Sequence, residues 1–304
     1  MPVFLEIPGF GLSNRIRTVL AFDYIAKKQH RGPVYVYWLV NHMCPDHFNN
    51  LFQDIPGVIF IKDLGEFKRL RNQRGGIYYK GQAQFHGLVN RYTKANVDGA
   101  VKPRGNSQSI YDQQYLLLKP LPAIWQDIQS FIETNQIKNR IGLHIRRTDH
   151  VSFIKRVKGR FDNDEHFEKI IRRDPTQLFY LSTDNLDTQK KFLNKFPNQL
   201  VVYSAIPDVK SIRKTTVVHA VIDLFLLGNC KQVQGSFGSS FSEFAYRLSS
   251  IWSKSDKSIV SSVPVVSVPK TETKTEKKPK KKSKKHKNRK KGRLSVIYFP
   301  AKKR

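Results

Sequence analysis

Short apolar runs alternate with longer amphipathic stretches through most of the chain. Val3–Ile7 reads as a strand, Pro8-Gly9-Phe10-Gly11 as a turn, and Leu12–Gln29 as a helix. Leu12, Ile16, Val19, Leu20, Ile25 and Ala26 fall close to one face of that helix, as the helical repeat requires. Val34–Val40, rich in β-branched and aromatic residues, reads as a second strand. Strand, glycine turn, helix and strand form the βαβ pattern of a nucleotide-handling sheet. Residues 45–120 show no readable period and are expected to be long surface loops. A second alternating series follows. Residues 121–137 predict a helix and Ile141–His144 a short buried strand. Phe167–Arg172 predicts a helix, Leu178–Ser182 a strand, Leu186–Phe196 a helix and Leu200–Ser204 a strand. Thr215–Asn229 is a long apolar helix, Lys231–Gly235 a strand, and Phe241–Ser249 a last helix. The fold class is therefore α/β, with parallel strands and helices on both faces. Two such modules in one chain predict two Rossmann-type lobes facing each other across a cleft. The expected divisions are residues 1–130, 131–252 and 253–304.

From about Ser253 the pattern ends. Ser, Val and Pro come first, and Lys277–Arg293 is almost wholly basic. Such a segment buries too little apolar surface to fold alone, so it is expected to be disordered. It also changes how the net charge of +30 is read. Residues 261–304 hold 17 Lys and Arg against two Glu, a net of +15, and the other half of the excess is spread over the body. A basic body suits an anionic ligand such as a nucleotide. The 277–293 run suits an anionic surface or nucleic acid, without the interleaved aromatics that stack on bases. The two cysteines, Cys44 and Cys230, make no disulfide framework and suit a reducing compartment. No secretory leader or membrane span is apparent, so a cytoplasmic location is expected. Nothing in the composition speaks to oligomeric state.

Four segments carry candidate chemistry. Ile141-Gly142-Leu143-His144-Ile145-Arg146-Arg147-Thr148-Asp149 runs a core strand straight into two arginines. Arginine is costly at such a strand end unless it meets an anion, and its planar fork suits phosphate. Successive side chains of an extended segment point to opposite sides, so Arg146 and Arg147 are expected to divide their roles. One faces a ligand with His144; the other holds Asp149 or the neighbouring lobe. An inter-lobe salt-bridge cluster is the alternative reading. The second segment is Gly9-Phe10-Gly11-Leu12-Ser13-Asn14-Arg15, where glycines permit close approach and the helix supplies unpaired N–H groups. Arg15 sits in the first helical turn, where the dipole disfavours a cation, so an anion or carboxylate is expected beside it. The third is Leu181-Ser182-Thr183-Asp184-Asn185, in which Asp184 reads either as a ligand contact or as a helix N-cap. The fourth is Gln234–Glu243, where Ser240 and Glu243 fit a capping box and Ser239, Ser240 and the N–H of Phe241 lie where an anion binds. His42–His47 lacks a second cluster to complete a metal site. Asp162-Asn163-Asp164 has the D-x-D form of metal-dependent glycosyltransferases, but with Glu165 it reads as a helix start.

In this order the segments resemble the GDP-fucose-dependent fucosyltransferase superfamily, which includes α1,6-, α1,2-, protein O- and nodulation-type enzymes. Gly9–Arg15 is similar to its G-x-G-N-R loop, and His144–Asp149 to its H-x-R-R-x-D motif. Ser182-Thr183-Asp184 resembles its second motif. Ala220–Leu224 followed by Gly235–Phe241 resembles its third. The likeness runs to about residue 250 and leaves out the tail. It implies a GT-B-like pair of lobes, GDP-fucose as donor, a glycan hydroxyl as acceptor, inversion at the sugar carbon, and no metal or other cofactor. By position, Arg146 would grip the β-phosphate, His144 the donor, Asp184 the guanine end, and Ser239, Ser240 and Phe241 the pyrophosphate. Gly9, Gly11, Asn14, Arg15, Arg147 and Ser204 complete the implied donor contacts. The chain departs from the family after Asp149. Where α1,6-type members carry Lys and then a catalytic Glu, this sequence has His150 and Val151-Ser152-Phe153-Ile154. The base that takes the acceptor's proton is thus left among His150, whose ordinary pKa suits the task, and Asp162, Asp164 or Glu165. With no anchor, the resemblance implies a bacterial-like or viral cytoplasmic setting. Three functions follow: a fucosyltransferase, a module that binds a GDP-sugar or glycan without catalysis, or a protein that works through its basic tail.

Overall fold

The computed structural model describes residues 1–7, 9–80, 112–156, 162–208 and 215–254. The described residues belong to one compact unit. The sequence pattern of its first half folds as predicted at the start. β1 (Val3–Ile7) leads into α1 (Leu12–Lys28) and then β2 (Val34–Trp38). Residues 45–80 depart from expectation. They contain β3 (Val58–Ile61), α2 (Leu64–Arg74) and β4 (Ile77–Lys80) where loops were expected. The reason is burial. α2 buries only Phe67, and β4 has no fully buried residue, so neither shows a clear apolar stripe. The expectation for 81–111 lies outside the described residues. The four strands form a parallel sheet in the order β3-β2-β1-β4. Phe4, Tyr35, Ile61 and Phe67 pack on one of its faces. α1 is buried almost all round from Leu12 to Ala26.

The second half begins with α3 (Pro122–Thr134), which starts on a proline whose missing N–H costs a helix nothing there. β5 (Ile141–Ile145), α4 (Thr148–Arg156), α5 (Asp164–Arg172), β6 (Phe179–Thr183), α6 (Leu186–Lys195) and β7 (Leu200–Val201) follow. α7 (Val217–Asn229), β8 (Gln232–Gly235) and α8 (Ser240–Lys254) complete it. The parallel sheet runs β7-β6-β5-β8. β7 is shorter than the predicted Leu200–Ser204, because it is an edge strand paired on one side only. Leu143, Ile145, Phe167, Ile171, Phe179, Leu181, Phe192, Phe196 and Leu200 form the core between the sheet and α5–α6. On the other face, α7 is buried from Val221 to Asn229, as its unbroken apolar run required.

β5 and β1 are central strands of their sheets, and each ends at a loop that feeds a helix. The register sets His144 opposite Ser182 on one side and Gly235 on the other. A Cβ on Gly235 would lie 2.4 Å from Cβ of Ser242, so glycine is what lets α8 seat against β8. Among the described residues no helix is long and apolar enough to cross a membrane.

Candidate functional site

The site is built from the C-terminal end of β5. Parallel strands present their loops, and the helix N-termini that follow, at this edge. His144 is the last-but-one residue of the strand and is buried. Its Nδ1 is 2.6 Å from Oγ of Ser242, and its ring lies 4.7 Å from that of Phe241. The strand end is therefore locked to the first turn of α8. The backbone continues the lock: Ser236 N donates to His144 O at 3.0 Å, and Arg146 N donates to Ser236 Oγ at 3.0 Å. The connecting loop is also held from outside, where Phe237 N donates to buried Asp162 at 2.8 Å.

The two arginines separate, as strand alternation required. Arg146 donates to Asp149 at 2.7 Å and lies 3.2 Å from Asp184. Arg147 turns to Asp164, 2.7 Å away, and Lys191 meets the same carboxylate at 2.8 Å. Burial pushes the Asp164 carboxyl up, but hydrogen bonds from Lys191 and Arg147 outweigh it and hold the pKa below the ordinary value. Asp149 is thus held by Arg146, the arginine expected to face the ligand. Asp184 settles its ambiguity against capping. It accepts from Arg147 N at 2.8 Å, from the Thr148 hydroxyl and from Arg146. The N-cap of α6 is Asn185, whose side chain accepts from Thr188 N at 2.8 Å. The reason is reach: the residue nearer the helix captures its N–H, and Asp184 is left to organise the turn after β5.

The capping box at Ser240 and Glu243 is also corrected. α8 begins at Ser240, so Ser239 precedes it. Ser239 O accepts from Glu243 N at 3.0 Å, and its Oγ lies 3.4 Å from Ser242 N. Glu243 is drawn away from any box by Arg17, 2.6 Å distant, with Arg247 at 3.4 Å. Ser239, Ser240 and Phe241 remain at the helix start, where the first N–H groups have no intrahelical acceptor. The Asp162–Glu165 reading stands: Asn163 caps α5 by accepting from His166 N at 3.0 Å, and Asp164 and Glu165 occupy its first turn.

The glycine loop lies at the matching edge of the first sheet. A Cβ on Gly9 would come within 2.6 Å of Asn41 Nδ2. Asn41 cannot easily yield, because its Oδ1 accepts from Arg15, Met43 N and Cys44 N. Gly9 therefore makes room for the chain's own packing. Gly11 is the N-cap of α1, and Asn14 Oδ1 accepts from Arg17 at 2.8 Å. Arg15 differs from expectation. Among the described residues no carboxylate joins it; its donors go to Phe10 O, Leu39 O and Asn41 Oδ1, and its guanidinium lies 5.3 Å from the Trp38 ring centroid. It is fully buried, and that burial lowers its pKa. Carbonyl dipoles and an aromatic face do the work a counter-ion was expected to do.

Ser204 follows β7 rather than ending it, and its Oγ is 3.2 Å from His219 Nδ1. His219 Nε2 lies 3.6 Å from Asp223, which accepts from Tyr180 and Ser182. Burial raises the Asp223 pKa, while His219, Tyr180 and Ser182 pull it back. Burial also raises Tyr180 well above its ordinary value, with Asp223 adding to it. Sequence reading did not connect these residues. The i,i+4 spacing of His219 and Asp223 on a predicted helix was the available signal. The backbone of His150 lies in α4, but its side chain is outside the described residues. Among the described residues, no three His, Cys, Asp or Glu side chains gather as metal ligands.

No family profile matches the chain. No curated protein matches it either. Solved structures do. NodZ α-1,6-fucosyltransferase soaked with GDP-fucose superposes with a TM-score of 0.50 at 15% identity, over 81% of this chain and 92% of that one. POFUT1 in complex with GDP superposes with a TM-score of 0.50 at 12% identity, over 81% of this chain and 94% of that one. The chain shares its α/β fold of two parallel sheets with both.

Proposed function

We propose that this chain is a GT-B-like glycosyltransferase that moves fucose from GDP-fucose to a glycan hydroxyl, inverting the sugar carbon without a metal. The observation that carries the reading is the end of β5. It brings Arg146, a buried His144 and the first turn of α8 together at one sheet edge. The Arg17–Glu243 pair joins that turn to the second turn of α1, behind the glycine loop. Two helix N-termini and a guanidinium near one edge favour a diphosphate. The fold shared with fucosyltransferase structures bound to GDP or soaked with GDP-fucose points to the same ligand. In this reading the acceptor oxygen attacks the anomeric carbon from the face opposite the diphosphate. The bond to the β-phosphate oxygen breaks, and Arg146 with the N–H groups of α8 stabilises the charge that develops there.

Calorimetry with GDP, and GDP release from GDP-fucose over a panel of glycan acceptors, test this directly. Wild-type chain is expected to bind GDP and turn over with at least one acceptor. Arg146→Ala is expected to weaken GDP binding about 10- to 100-fold, the loss of a charge-assisted hydrogen bond. Near-normal turnover in Arg146→Ala would sink the mechanism. Tight GDP binding with no turnover on any acceptor would leave a binding module instead.

A further inference from the structure

Arg17 lies in the second turn of α1 and is buried. Its Nη1 donates to Glu243 Oε2 at 2.6 Å, and its Nη2 donates to Asn14 Oδ1 at 2.8 Å. One planar fork thus ties the first turn of α8 to the first turn of α1. The third donor, Nε, is buried with no acceptor among the described residues. This is a costly way to hold two helices together. A buried guanidinium gives up its hydration, and an unpaired donor forfeits a hydrogen bond as well. Apolar residues of similar size often hold such a contact with no loss of stability. Apolar packing is already present beside the pair. Phe244, the neighbour of Glu243, is fully buried, and its ring lies 4.9 Å from that of Tyr115. Tyr115 belongs to the 3-10 helix Asp112–Leu117, which packs against α1. What the ion pair adds to that packing is a fixed register.

We propose that Arg17 is a positioning residue for the transfer. By gripping Asn14 and Glu243 together, it sets the edge of the first sheet so that an acceptor held there reaches the donor held at the second. The inference rests on the nucleotide-sugar reading above. The diphosphate end of the site does not depend on this register. α8 is locked to β5 by Ser242 on His144 at 2.6 Å, and the loop before it by Ser236 N on His144 O at 3.0 Å. Arg146 and the N–H groups of α8 therefore keep their arrangement without Arg17. The start of α1, and the glycine loop that feeds it from β1, is what Arg17 sets against them. Reacting atoms must meet at a near-attack distance, so a small slip between the two edges slows transfer far more than it weakens donor binding. Asn14 in this role orients the guanidinium, a different task from the donor contact implied by the resemblance.

A paired apolar replacement tests this. Arg17→Met with Glu243→Leu removes the register and keeps most of the buried volume. The double variant is expected to melt within about 5 °C of wild type. Its affinity for GDP, read by calorimetry, is expected to stay within about threefold. GDP release from GDP-fucose, over the same panel of glycan acceptors, is expected to fall about 100-fold, the scale of an ångström's misplacement. Arg17→Lys keeps the cation without the two-pronged bridge, and its release is expected to lie between the two. Release within about threefold of wild type in the double variant would overturn the proposal. So would GDP binding that weakened in step with release, since the pair would then be building the diphosphate grip itself. A larger drop in melting temperature would make the pair structural and would overturn it too. A wild-type chain that binds GDP but releases none from GDP-fucose leaves nothing to position and has the same consequence. Failure of the wild-type chain to bind GDP would instead remove the nucleotide-sugar reading itself.

Discussion

Asp184, Glu243 and Arg15 each took partners that local sequence did not name. Asp184 and Glu243 sit at helix starts, where capping is the nearest use for a carboxylate. Both were claimed by arginines: Asp184 by Arg146 at the end of the neighbouring strand β5, and Glu243 by Arg17, more than two hundred residues earlier. A charge-assisted bond to a guanidinium outcompetes a neutral cap when both are in reach. Asp164 offers a test at this scale. Its pKa is held below the ordinary value, so the stability it contributes is complete above the unfolded carboxyl's pKa of about 4 and is lost as pH falls through the lower folded value. Thermal denaturation of wild type and Asp164→Asn between pH 2 and 7 checks this. The wild type should be the more stable at neutral pH, by about 1 kcal/mol or less because the side chain is 29% exposed. The gap should close in acid. A gap that persisted at the lowest pH would mean packing, rather than the Arg147 and Lys191 charges, gives Asp164 its value.

At the scale of elements, the legible parts were those that bury a face. β1, α1, β5 and α7 lie near their predicted spans, since a buried strand or helix must keep its apolar period. β3, α2 and β4 stayed hidden, since edge elements bury few side chains and are shaped by their neighbours. The contact of β8 with α8 depends on a residue with no side chain at all. Gly235→Ala would place a methyl group 2.4 Å from Ser242 Cβ and 2.5 Å from its Oγ, the oxygen that holds His144. Overpacking of this kind costs about 1–3 kcal/mol. Urea denaturation should show that loss, and GDP binding should weaken with it as α8 moves off the strand. Unchanged stability would mean the helix can slide without cost.

At the scale of the whole molecule, an ion pair among the described residues ties the halves of the compact unit. Arg17 and Glu243 have side chains 7% and 17% exposed, and Asn14 and Arg247 complete the cluster. A double-mutant cycle of Arg17→Ala and Glu243→Ala should give a coupling of about 1–3 kcal/mol. A value below about 0.5 kcal/mol would show that surface packing alone holds the two helix starts together. Sequence alone determined the fold class, the central strands with their helices, and the segments that reach the sheet edges. Those depend on local period and on residue types that chain neighbours can explain. Which carboxylate meets which arginine, that Arg15 rests on carbonyls, and that Ser204, His219 and Asp223 adjoin were decided only by tertiary structure. The pairings of Arg146 with Asp184, Arg147 with Asp164, Arg15 with Leu39 and Asn41, and Ser204 with His219 are made between separate elements, where distance in space bears no relation to distance along the chain.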